Sequence, residues 1–111
     1  MQIQQLTDIE IEESTCGRLK RLNHNGYVLI LIPEKDEWVK EHRYLVEKKI
    51  GRLLKPEETI HHINGEQGDN RIENLMPFHS QREHKNFENK VKQFGMTHSV
   101  LKQINERWEN F

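Results

Sequence analysis

Three histidines, His61, His62 and His84, fall within a 24-residue window, with His79 beside them, in a chain that holds seven histidines in all. Neutral imidazole is the commonest metal ligand and a ready base near neutral pH. Ser80-Gln81-Arg82-Glu83 reads as a capping box, in which a hydroxyl and a carboxylate satisfy free N–H groups at a helix start. With Ser80 as the cap, His84 is the fourth helical residue and Glu88 lies one turn on, on the same face. His61 and His62 are neighbours in Thr59-Ile60-His61-His62-Ile63, a β-type run, and adjacent strand residues point to opposite sides. One of the pair therefore faces the helix and shares a cation with His84, while the other faces a substrate. A divalent ion with few protein ligands keeps positions open for water and phosphate oxygen, and a free imidazole beside it can take a proton from water.

The elements that must position these groups are a hairpin and the helix after it. The run 59–63 ends in Asn64-Gly65, a polar loop follows, and Ile72 to Phe78 reads as the returning strand. Pro77 has no N–H for a ladder, which marks an edge or a bulge. The following helix runs from Gln81 towards Lys92. Upstream, Arg18 to Leu22, Asn23 to Gly26 and Tyr27 to Ile32 read as strand, turn, strand, closed by Pro33. From about Asp36 the spacing of Trp38, His42, Leu45, Val46 and Ile50 predicts a helix that Gly51 stops. Ile9 and Ile11 alternate with acids and fit a short edge strand.

Composition bounds the rest. The 111 residues are 33% hydrophobic and 32% charged, which supports one thin-cored domain that a metal ion or a partner would help stabilise. No apolar run approaches the roughly 18 residues of a membrane span, and Met1-Gln2-Ile3-Gln4-Gln5 lacks the opening of a secretory signal. A lone Cys16 excludes a disulfide framework and a multi-cysteine zinc ribbon, as in a reducing cytoplasm. Net charge is −1, but it is unevenly placed: residues 17–55 carry +5 and residues 80–111 carry +2, around −4 at residues 56–79. Two basic stretches flanking an acidic one fit a cation site set within a phosphate-binding surface. Arg43, Arg52, Arg71 and Arg82 are the candidate phosphate contacts.

The run His61-His62-Ile63-Asn64-Gly65, then Asp69-Asn70-Arg71-Ile72-Glu73-Asn74-Leu75, then Glu83-His84 resembles the HNH endonuclease signature on the ββα-metal (His-Me) finger. Glu41-His42-Arg43 and Ile50-Gly51-Arg52-Leu53-Leu54 extend the likeness to small HNH proteins of phages and mobile introns, over roughly residues 26–90. The resemblance implies His61 and His84 as metal ligands, His62 as general base, and Asn74 as the residue that braces the loop and helps orient the base. Asn70 either shares that role or serves the turn. Where a colicin-like relative has a further histidine this chain has Glu88, a carboxylate able to ligate the cation or hold its water. Asn74 to His84 is one residue longer than the family interval, which places a bulge near Pro77 and His79. His79 itself reads as a strand-end residue and His42 as a packed one.

The implied cofactor is one divalent cation: Mg, with Mn, Ni or Zn also suited to imidazole ligands. The implied partner is DNA, without membrane or small-molecule cofactor, in a phage-encoded protein of the bacterial cytoplasm. The organisation expected is an acidic segment 1–17, a basic hairpin and helix 18–55, the finger 56–92 and a C-terminal helix 93–111, an α+β fold throughout. Phe94 to Ile104 resembles the turn and recognition helix of a helix-turn-helix, with Met96, Leu101 and Ile104 inward. The competing reading, which the missing first helix favours, has Leu101, Ile104, Trp108 and Phe111 packing on the body or on a second copy in a homodimer. Two other functions stay open: a non-cleaving DNA-binding module on the same fold, and a protein whose metal only staples the core.

Overall fold

Alternation of Val28, Ile30 and Ile32 with Leu29 and Leu31 builds the first sheet, in a computed structural model that describes residues 12–13 and 19–111. Strands β1 (Glu12–Glu13), β2 (Leu19–Leu22), β3 (Val28–Ile32) and β4 (Glu37–Lys40) pair antiparallel in that order. The β2–β3 turn is held by Asn23, whose Oδ1 accepts from the N–H groups of Asn25 and Tyr27, both at 3.0 Å. Gly26 closes it at φ 86°, where a Cβ would also stand 3.0 Å from Gln67 Oε1. Ile9 and Ile11, and with them the edge strand expected there, lie outside the described residues.

The first helix starts later than the sequence expectation. Helix α1 spans Glu41–Ile50, not Asp36 onward, because residues 37–40 pair with β3 in register Leu31↔Trp38 and Leu29↔Lys40. Asp36 turns the chain with φ 50°, so Trp38 precedes His42 by four residues without sharing a helix. Gly51, left-handed at φ 77°, ends α1 as expected.

The second sheet is the hairpin of β5 (Thr59–His62) and β6 (Leu75–Phe78). Its register, Thr59↔Phe78 to His62↔Leu75, is continuous, so the expected bulge at Pro77 is absent and the added length sits in His79 and Ser80 before the helix. Ile72–Asn74, expected as strand, forms a single 3₁₀ turn. Every residue of β6 is buried, because the hairpin packs on both faces. Leu75 joins Val46, Leu54 and Trp108 on the α1 side, whereas Met76 and Phe78 join Phe87 and Val100 on the other.

Helix α2 (Gln81–Phe94) starts at Ser80, whose Oγ accepts from Glu83 N–H at 3.2 Å. The return half of the box is shifted one residue: Glu83 Oε2 accepts from His79 N–H. Helix α3 (His98–Asn105) packs inward through Val100 and Ile104, so the inward residues of the helix-turn-helix reading hold at Ile104 and fail at Met96 and Leu101, which are exposed. Arg107 fastens the tail, donating to the carbonyls of Leu75 (2.7 Å) and Glu73 (3.2 Å). No helix among the described residues is long and apolar enough to cross a membrane.

Candidate metal centre and the buried face behind it

The two sides of β5 carry different chemistry. On the side facing α2, His61 Nδ1 lies 3.1 Å from His84 Nε2, and Glu88 Oε2 lies 3.7 Å from the first and 3.6 Å from the second. Nitrogen and oxygen ligands at about 2.0–2.2 Å from one ion sit roughly 3.0–3.6 Å apart at octahedral or tetrahedral angles. The triangle therefore fits a divalent cation with small adjustment, and its two nitrogens and one carboxylate oxygen are a donor set such ions accept. Glu88, ambiguous from sequence, is the third corner.

The surroundings hold this triangle in shape. Phe78 stacks on His84 with planes 3° apart, and the Phe87 ring meets His61 edge-on at 5.5 Å, so the apolar core itself orients both imidazoles. Thr59 Oγ1 lies 3.2 Å from His84 Nδ1. If Nδ1–H donates there, Nε2 is left as the lone pair facing the triangle, which is how an outer partner sets a ligating tautomer. Burial lowers the pKa of both His61 and His84; the neighbouring imidazole lowers His61 further, and the Glu88 carboxylate opposes the shift in each. Neutral imidazole is the ligating form.

On the opposite side, His62 is 7% exposed and its Nε2 lies 2.7 Å from Asn70 Oδ1. Asn70 Nδ2 donates in turn to Glu41 Oε1 at 2.9 Å. His42 packs against His62 with ring centroids 5.3 Å apart and against Tyr27 at 5.2 Å, as a packed histidine should. Its Nδ1 is buried without a partner, and burial pushes its pKa down to about 3.

Asn74 braces the loop: its Oδ1 accepts from Asn64 N–H, and its amide donates to Asn64 Oδ1 and the Asp69 carbonyl. It does not touch His62; Asn70 does. Glu41 and Thr59 were missed by the sequence reading. Thr59 had a usable signal, since it sits two residues before His61 on the same face of a strand. Glu41 lay in a run that resembles the family, but nothing local pointed to its partner, 29 residues away.

The candidate phosphate contacts divide. Arg43 donates to the carbonyls of Glu58 (2.7 Å) and Lys55 (3.0 Å), and Arg52 grips the buried Glu58 carboxylate with two bonds of 2.9 Å. That guanidinium holds the Glu58 pKa down to about 2; Arg43 ties the 51–58 loop to α1, while Arg52 closes the loop on itself. Arg71 pairs with Asp69 but keeps 65% of its side chain exposed, and Arg82 is exposed on the first turn of α2. His79, stacked on Phe111 at 4.1 Å and 3.3 Å from Glu58 Oε2, belongs to this second cluster and not to the triangle.

Residues 39–85 match the family model of HNH endonucleases. The match spans β4, α1, the hairpin, its loop and the start of α2, and it includes both faces of β5. No curated protein and no solved structure matches the chain.

Proposed function

From the match of residues 39–85 to the HNH endonuclease family, we propose that this protein is a metal-dependent DNA endonuclease of that family. The reading rests on one observation above the others: His61, His84 and Glu88 converge on a single point while His62, the next residue along the strand, faces away from it. A bound divalent cation, Mg or one of Mn, Ni and Zn, supplies charge neutralisation at the scissile phosphate.

The chain's own groups do the rest. His61, His84 and Glu88 hold the cation. His62 accepts a proton from the attacking water, whose oxygen displaces the 3′ oxygen at phosphorus and leaves 5′-phosphate and 3′-hydroxyl ends. Asn74 keeps the loop from relaxing, and Asn70 holds the base. Arg71 and Arg82 are the phosphate contacts this reading retains, because Arg43 and Arg52 are engaged with the 51–58 loop.

One such centre per chain predicts nicking by a monomer, and both strands severed only by a homodimer. Incubating supercoiled plasmid with the protein and Mg²⁺ or Mn²⁺ tests the reading: the expected result is conversion to the nicked form, abolished by chelator. Retarded migration of DNA without any cutting, across all these cations, identifies a non-cleaving binder instead.

A further inference from the structure

The Glu41–Asn70–His62 chain is buried at each link: Glu41 is 2% exposed, Asn70 1% and His62 7%. Its direction follows from what each group can give. A carboxylate accepts hydrogen bonds and has none to donate. The end of the Asn70 amide that faces Glu41 must then be the NH₂, which leaves Oδ1 facing His62 at 2.7 Å. An amide oxygen only accepts, so His62 Nε2 carries the proton and Nδ1 keeps the lone pair. Among the described residues the one side-chain polar atom both buried and unpartnered is His42 Nδ1; His62 Nδ1, which makes no hydrogen bond, therefore retains contact with solvent.

We propose that Glu41 is a positioning residue for His62. Standing at the first position of α1, outside the hairpin, it fixes the Asn70 amide, and the amide fixes the imidazole so that Nδ1 faces outward as the proton acceptor. This rests on His62 being the base. Packing of α1 against the hairpin thereby gains a second consequence: it determines which nitrogen of His62 reaches water. The neutral His42 ring, seated between Tyr27 and His62, fills the space beside the chain and offers it no competing hydrogen bond.

The two ring nitrogens of a neutral histidine have distinct ¹⁵N shifts, so the tautomer can be read directly in the full chain, in alkaline buffer with and without Mg²⁺. The wild type is expected to show His62 protonated at Nε2 alone. A proton on Nδ1 overturns the proposal, and that measurement needs no variant. Glu41→Met removes the acceptor and frees the amide to turn; the expected result is a mixture of His62 tautomers and kcat reduced about 10-fold with KM little changed, the scale on which outer partners act. Glu41→Gln, whose amide oxygen can still accept from Asn70, is expected to restore both the single tautomer and kcat. A pure Nε2–H tautomer with full kcat in folded Glu41→Met refutes the role of Glu41. If the tautomer changes as expected while His62→Ala still cuts DNA, the hydrogen-bond chain stands and the assignment of the base falls.

Discussion

His61 and His62 are neighbours on one strand, and their environments are opposites. On the His61 side three ligand atoms face one another at 3.1–3.7 Å, and Glu88 is still 37% exposed. That spacing also fits a divalent cation, the occupant proposed above. On the His62 side a hydrogen-bonded chain runs from His62 through Asn70 to Glu41, a carboxylate buried at the start of α1. The first side is built to receive something, the second to keep something still. A pleated strand delivers both from consecutive residues because its side chains alternate. On the proposed function, the separation lets the cation site be tuned without disturbing the base.

The strongest way to break the contrast is His62→Ala. Loss of a general base costs about 10²–10⁴-fold in rate, and because His62 lies off the triangle the account expects cation affinity within a few-fold of the wild type. Single-turnover plasmid cleavage alongside calorimetric titration of Mn²⁺ reads both quantities.

A finer cut is Thr59→Val, which removes the hydroxyl beside His84 Nδ1 and leaves the triangle. Outer partners of ligating histidines are worth roughly 10–100-fold in metal affinity; a drop of about 10-fold is expected, with the DNA affinity of the metal-free protein unchanged.

Acid separates the two faces by a different readout, stability in place of rate or cation binding. Burial holds His42 near pKa 3 when folded, against 6.5 when unfolded. The unfolded chain therefore takes up the proton first, so stability is intact above pH 6.5 and falls below it towards pH 3, by at most about 1.4 kcal/mol per pH unit. His42→Phe should flatten that slope in urea titrations. The lowered pKa values of His61 and His84 act in the same direction on binding: cation affinity persists somewhat below pH 6.5 and is lost as pH falls further.

Much of this architecture is written locally in the chain. The hydroxyl at Ser80, the i, i+4 pair His84 and Glu88, the Asn23–Gly26 turn and the left-handed Gly51 each depend on residues within one turn of themselves, so each could be read from spacing. The α+β class and the hairpin-plus-helix order followed from them. What misled was periodicity without a partner: Trp38 to Ile50 fits one helix by spacing, yet residues 37–40 pair with β3. What was invisible was tertiary. Spacing left Asn70 open between holding the base and serving the turn, because its partner Glu41 is 29 residues away, and basic Arg43 and Arg52 read as phosphate contacts because their partner Glu58 lies across a loop. At the C-terminus, Arg107 donates to the carbonyls of Ile72, Glu73 and Leu75, 32 to 35 residues away, and Trp108 packs against the cluster of Val46, farther still, so no local window spans either.

The central claim is tested most directly by titrating Mn²⁺ into the wild type and into His61→Ala, His84→Ala and His62→Ala under calorimetry, with circular dichroism to establish that each is folded. The account predicts one cation per chain, binding lost in the first two variants and retained in the third. Retained binding in folded His61→Ala and His84→Ala, or loss of binding in His62→Ala, would contradict it.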